Sequence, residues 1–199
     1  MPETSAPRLY ISADQLLGDS FRLALKVLDS GYRPTHIIGI WRGGTPVGIA
    51  VQELFDFSGV RTDHIAIRTS LYSGVATTNR RLRVHGLNYI VKHVNAEDSL
   101  LIVDDVYDSG RSIRQVIADL RADCRRNTPG IRIATVYYKP GNGAPSEVPH
   151  YYMYETNHWL VFPHELSGLP MDELLQAKPG IDAIRDRLRA LRGAAADQR

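Results

Sequence analysis

An α/β fold, with a mostly parallel open sheet flanked by helices, is what this sequence predicts, and three observations predict it. Short apolar runs alternate with amphipathic helical patterns along the chain, which requires right-handed crossovers and a sheet covered on both faces. Charged and small residues gather where those runs end: Arg42 follows one, Asp104 another and Lys139 a third, as binding groups do at the carboxyl ends of strands. At 199 residues, 43% hydrophobic and 23% charged, the chain suits one globular domain with a full core. The expectation is a single domain over 1–199, with a core at about 10–166 and a C-terminal helical extension at about 167–192.

Taken in order, Ser12-Ala-Asp-Gln15 reads as a capping box, and apolar Leu17, Phe21, Leu25 and Leu28 carry a helix to about Ser30-Gly31. His36 to Ile40 is a short buried strand. Pro46 to Phe55 follows as a helix with Val47, Ala50, Val51 and Leu54 on its apolar side, and His64 to Arg68 is another strand. Tyr72 to Asn95 is polar, holds Gly74 and Gly86, and carries Arg80, Arg81 and Arg83, so it suits a mobile lid or an irregular antiparallel excursion. Leu100 to Val103 and Ile131 to Tyr138 complete the alternation around a helix bearing Ile113, Val116, Ile117 and Leu120. After Pro140, a turn-rich linker leads into Tyr151 to Tyr154 and Trp159 to Phe162, expected as a small hood over the ends of the main sheet.

Charge and composition exclude several classes of function. The net charge of +2 makes no nucleic-acid surface, and the arginines from Arg185 to Arg192 alternate with Asp182 and Asp186 as a solvated helix face does. A single cysteine, Cys124, excludes an internal disulfide framework and a Cys-based zinc site, and its place on the apolar side of a helix suits a packed thiol. No run approaches eighteen apolar residues and Met1-Pro-Glu-Thr has no signal-peptide pattern, so no membrane is expected and the cytoplasm is the default location.

Leu101 to Ile113 carries the most chemistry. An apolar strand runs into adjacent carboxylates, Asp104 and Asp105, then a third, Asp108, and a small-residue turn, Ser109-Gly110-Arg111-Ser112, that opens a helix. Backbone N–H groups, two hydroxyls and a helix N-terminus favour a phosphate dianion. The acidic pair suits a vicinal diol or a hydrated metal ion, since ionised carboxylates only accept hydrogen bonds and are hard oxygen ligands. The plainer alternative is a capped helix in which Asp108 or Ser109 is only the N-cap. Trp41-Arg42-Gly43-Gly44-Thr45 reads either as a second anion loop or as an ordinary strand-to-helix turn.

At Asp104 to Ser112 the chain closely resembles the type I phosphoribosyltransferases, whose signature for 5-phosphoribosyl 1-diphosphate (PRPP) is matched at every defined position. The resemblance implies that Asp104 and Asp105 hold the ribose hydroxyls with Mg²⁺ nearby, and that Asp108, Ser109, Gly110, Arg111 and Ser112 cradle the 5′-phosphate. It implies that Arg42, Gly43 and Gly44 hold pyrophosphate, in a loop that often contains a cis peptide before the basic residue, and that Tyr72 belongs to a lid over PRPP. Arg42 and Asp108 would be the catalytic groups.

Tyr138-Lys139-Pro140 and Glu155 to Glu165 suit an oxopurine: Trp159 to stack, Lys139 to donate to a 6-oxo group, and Leu160 backbone or Glu165 to face the 2-position. Core aromatics at Trp159 and Phe162 with a surface Lys139 are the alternative. These segments are similar to the 6-oxopurine (hypoxanthine, guanine, xanthine) phosphoribosyltransferases over about Tyr10 to Leu166. His164 stands where relatives have an aromatic residue, and Ser167 to Arg199 extends past their usual end. What the resemblance implies is a purine salvage enzyme joining PRPP to N9 of a purine base, giving a nucleoside monophosphate and pyrophosphate, in a homodimer or homotetramer. The rivals are a PRPP-binding regulator without catalysis and a phosphoribosyltransferase for another base.

Overall fold

The computed structural model describes residues 8–72, 81–141 and 148–196. The chain divides into two compact units, Leu17–Asn157 and Met1–Leu16 together with His158–Arg199. Its elements in order are β1 (Arg8–Tyr10), α1 (Ala13–Asp29), β2 (His36–Trp41), α2 (Gly44–Phe57), β3 (Asp63–Tyr72), β4 (Arg81–His85) and α3 (Asn88–His93). They continue as β5 (Ser99–Tyr107), α4 (Arg111–Cys124), β6 (Gly130–Tyr138), β7 (Tyr151–Glu155), β8 (Trp159–Val161), α5 (Met171–Ala177) and α6 (Arg185–Ala196).

The larger unit is built on a six-stranded sheet of order β4-β3-β2-β5-β6-β7. β4 lies antiparallel to β3, and the other neighbours are parallel. Successive strand residues face opposite ways. Gly39 of β2 abuts Gly44 and Thr45 of α2, with 3.2 Å between an added Cβ and the Gly44 carbonyl oxygen. On the other face Ile38 and Ile40 join Ile67, Leu100 and Ile102 in a core closed by Ile90 of α3 and by Ile113, Val116, Leu120 and Cys124 of α4. Helices therefore cover both faces of a mostly parallel sheet, as the sequence predicts. The Ser12 half of the capping box forms: its hydroxyl accepts the Gln15 N–H at 3.1 Å. Cys124 is buried, and desolvation raises its thiol pKa. No helix among the described residues is long and apolar enough to cross a membrane.

Three readings of the elements are corrected. The segment after Tyr72 is antiparallel as expected but not wholly irregular: 73–80 lie outside the described residues, β4 pairs with β3, and Leu87, Ile90 and Val94 are buried in the core. Their spacing puts all three on one face of a short helix, beneath polar neighbours that dominate the composition. β5 does not end at Val103. It runs through Asp104 and Asp105, because Val106 and Tyr107 stay paired with Tyr137 and Tyr138 of β6. Tyr151 to Tyr154 belongs to no hood: as β7 it adds to the main sheet, with Tyr151 opposite Ala134 and Glu155 opposite Tyr138.

The smaller unit holds a two-stranded parallel sheet in which Arg8, Leu9 and Tyr10 pair with Trp159, Leu160 and Val161. Its core is Val161, Leu169, Leu174 and Ile181, against which Tyr10, Met171 and Leu188 pack. Arg8 and Tyr10 both donate to Glu173 of α5, tying β1 to the C-terminal helices. That pairing moves the division away from residue 166: the unit takes in the first residues and everything from His158 onward.

Candidate active site

The chain leaves β2 toward β3 on one side and returns to β5 on the other, so the carboxyl ends of β2 and β5 form the switch point of the sheet. Arg42 to Gly44 after β2 and the acidic pair on β5 meet there. A Cβ on Gly43 would land on the Asp105 carboxylate, and one on Gly44 would lie 2.5 Å from the Val103 carbonyl oxygen and 2.9 Å from Asp104 Cα. Only glycine permits so close an approach. The Trp41–Arg42 peptide is cis, the Arg42 carbonyl accepts the Thr45 N–H at 3.1 Å, and the Arg42 side chain is exposed. The plain-turn reading of this loop fails to account for glycines pressed onto carboxylates.

Asp105 is buried, and its Oδ1 accepts the Val106 N–H at 2.8 Å. Asp104 accepts the Asp105 N–H at 3.0 Å. Burial first, and then the neighbouring charge of Asp105, hold the Asp104 carboxyl well above the usual carboxylate range, although the Asp105 and Gly44 amides favour its charged form. A bound cation would relieve that repulsion, and the donor set is of hard oxygens. These residues therefore fit a divalent ion such as Mg²⁺.

The loop after β5 ends on Gly110, in the left-handed conformation (φ 68°), and Gly110 is the N-cap residue of α4. Asp108 and Ser109 thus lie two and one positions ahead of the N-cap residue. The start of a helix presents backbone N–H groups that favour an anion. A Cβ at Gly110 would collide with the Tyr107 ring, so this position needs glycine for space as well as for its φ. Arg111 is exposed, Ser109 half-buried, and the Ser112 hydroxyl accepts a hydrogen bond from Thr69 at 3.4 Å.

β6 delivers Lys139 to the same end of the sheet, where its N–H bonds the Tyr107 carbonyl at 2.9 Å and its Nζ lies 3.4 Å from Asp108 Oδ2. Only 12% of the Lys139 side chain is exposed, so it is not a surface lysine. The larger unit thus brings together Arg42, Gly43, Gly44, Asp104, Asp105, Asp108 to Ser112 and Lys139. Tyr72 ends β3 opposite Arg81, and the lid expected beyond it falls on 73–80, outside the described residues.

The other expected site residues sit on the smaller unit. Trp159 is 61% exposed and Phe162 3%, so of the two aromatics only Phe162 is a core residue. Leu160 is buried, and Glu165 Oε2 accepts the Phe162 N–H at 3.1 Å.

Tyr107, Thr69 and Thr135 adjoin the site without a sequence signal that marked them. Tyr107 occupies an undefined position of the motif, although an aromatic three residues before a required glycine is a usable sign. Thr135 lies opposite Asp104 on β6, with its buried hydroxyl unpartnered among the described residues.

A glycine loop pressed onto paired carboxylates at the switch point of a mostly parallel sheet places the chain among α/β proteins whose functional groups gather at the carboxyl ends of the strands. Residues 12–169 match the phosphoribosyl transferase domain, and the chain belongs to that family. It is 30% identical over 164 residues to a xanthine-guanine phosphoribosyltransferase of Ruegeria sp. (strain TM1040), covering 79% of this chain and 85% of that one. The crystal structure of a purine phosphoribosyltransferase from Pyrococcus horikoshii Ot3 superposes with a TM-score of 0.65 at 26% identity, over 82% of this chain and 97% of that one. A Helicobacter pylori xanthine-guanine-hypoxanthine phosphoribosyltransferase shares the fold, with a TM-score of 0.63 at 20% identity over 78% and 92%.

Proposed function

We propose that this protein transfers the 5-phosphoribosyl group of PRPP to N9 of a 6-oxopurine, hypoxanthine or guanine and also xanthine, releasing pyrophosphate and a nucleoside 5′-monophosphate for purine salvage. The observation that carries the reading is the Gly43-Gly44 loop, which approaches Asp104 and Asp105 so closely that a Cβ on Gly43 would land on the Asp105 carboxylate. Similarity to the purine-specific relatives supports the choice of base, as does Lys139, an ammonium placed to meet a 6-oxo acceptor. A cytoplasmic homodimer or homotetramer belongs to the same proposal.

Asp104 and Asp105 accept hydrogen bonds from the ribose hydroxyls, and the amides from Gly110 onward, with Ser109 and Ser112, hold the 5′-phosphate. Positive charge builds on the ribose as the bond to pyrophosphate breaks, and negative charge builds on the departing oxygens. Arg42 and the amides of the Gly43-Gly44 loop stabilise that leaving group, since preorganised donors act where charge develops. Asp104 and Asp105 would hold Mg²⁺, which when bound supplies further charge neutralisation for PRPP. Asp108 takes the proton at purine N7 as general base. Lys139 beside it donates to the 6-oxo group; the stacking role of Trp159 and the 2-position roles of the Leu160 backbone and Glu165 rest on the resemblance to the 6-oxopurine enzymes.

Incubation with PRPP, Mg²⁺ and hypoxanthine, followed by chromatography, tests this reading. Stoichiometric nucleoside monophosphate and pyrophosphate are expected. PRPP binding without any product from purines would instead make the protein a PRPP-binding regulator.

A further inference from the structure

Lys178 is a buried cation that the chemistry above does not use. It lies just after α5, beyond the matched family domain at 12–169, and only 5% of it is exposed. An ammonium withdrawn from water is costly unless it is paired and hydrogen-bonded. Desolvation pushes the Lys178 pKa down, and the charge of Glu165 pulls it back up. Its Nζ donates to the Phe162 carbonyl at 2.5 Å.

What Lys178 grips is a turn already closed twice. The Glu165 N–H bonds the Phe162 carbonyl at 3.0 Å, and the Glu165 carboxylate accepts the Phe162 N–H at 3.1 Å. Pro163 occupies the second position, where its fixed φ favours such a turn. The Phe162 ring is buried beneath it. Every backbone polar group of Phe162 is therefore held from within the unit, and Phe162 follows directly on β8, which carries Trp159 and Leu160.

We propose that Lys178 is a positioning residue for base recognition: it locks the Phe162–Glu165 turn and, through it, the presentation of Trp159 and of the Leu160 backbone. It therefore sets affinity for the purine and not affinity for PRPP. Glu165, bonded to Phe162 and facing the Lys178 charge, is held by the same turn. This inference rests on the base-binding roles given under Proposed function.

Steady-state kinetics of the full chain test it, with hypoxanthine and PRPP each varied against saturating partner. Lys178→Met should raise KM for hypoxanthine by roughly 10- to 100-fold, the scale of a misplaced contact, with KM for PRPP and kcat within about twofold. Lys178→Arg, which keeps a long cationic donor, should recover most of the base affinity, and Lys178→Gln should fall between. An unchanged hypoxanthine KM in Lys178→Met, or an equal rise in both KM values, overturns the proposal. So does failure of both the Met and Gln variants to fold, which would make the role structural. Should the wild-type protein turn over no 6-oxopurine, the functional reading fails, and this inference with it. An active wild type with an indifferent Met variant refutes the inference alone.

Discussion

Replacing Gly43 by alanine forces a methyl group onto the Asp105 carboxylate, a contact that no side chain tolerates. The loop cannot simply retreat, because neighbouring Gly44 is packed against the backbone of Val103 and Asp104. Asp105 must therefore turn aside, and it is buried with Oδ1 bonded to the Val106 N–H at 2.8 Å. A hydrogen bond to a charged group contributes about 1.5–3 kcal/mol. If that loss appears in PRPP binding, affinity falls roughly 10- to 100-fold at about 1.4 kcal/mol per decade. Gly48→Ala is the control: on the same helix, an added Cβ meets only Gly39 Cα at 3.6 Å, an ordinary contact. That change should stabilise the protein by about 0.5–1 kcal/mol and leave PRPP binding alone. Calorimetric titration with PRPP and Mg²⁺, beside thermal melts of both variants, reads the two effects separately. Wild-type PRPP affinity in Gly43→Ala would refute the argument that the loop and the acidic pair are mutually fitted.

Asp108→Asn should keep PRPP affinity while lowering turnover by roughly 10²- to 10⁴-fold, the range for a lost general base, as rapid-quench or steady-state assays would show. Asp104→Asn should lower PRPP turnover yet raise the melting temperature at pH 7 in metal-free buffer. Burial and Asp105 raise the Asp104 pKa, so ionising it weighs against folding as pH climbs from the ordinary carboxylate range into the raised one. The stabilisation by asparagine should therefore vanish below about pH 4; a variant less stable than wild type at neutral pH would contradict the assigned shift. Trp159→Ala removes an exposed ring and should change stability by no more than about 0.5 kcal/mol. The same variant should raise the hypoxanthine KM roughly 10- to 100-fold, through about 1–3 kcal/mol of lost base stacking.

Local grammar made most of the larger unit legible. The apolar runs of β2, β5 and β6, and the acidic pair followed by a glycine turn, are each written in contiguous residues. The phosphate loop could be read because a strand, carboxylates and Gly110 must occur in that order. What escaped depends on partners far apart in the chain. The Thr69 hydroxyl reaches Ser112 only because β3 and α4 are packed in one particular register. Tyr151 to Glu155 has no run of aliphatics, and its place beside β6 comes from pairing with Ala134 to Tyr138. Lys178 reads as a solvated helix-end residue, since lysines are almost never fully buried; only the Phe162 carbonyl, sixteen positions away, explains it. The polar cast of the segment after Tyr72 concealed Leu87, Ile90 and Val94, whose burial appears once β4 turns the chain back across the sheet.

The comparison of hypoxanthine with adenine as acceptors, by kcat/KM at saturating PRPP and Mg²⁺, tests the central claim most directly. Lys139 is mostly buried beside Asp108, and in the proposed reading it donates to a 6-oxo group; the 6-amino group of adenine would instead set its own N–H groups against that donor. Sites built around such a bond reject the mismatched analogue by roughly 10⁴- to 10⁵-fold, and a preference of that order for hypoxanthine is expected. Equal or better turnover of adenine, or of a pyrimidine, would contradict it.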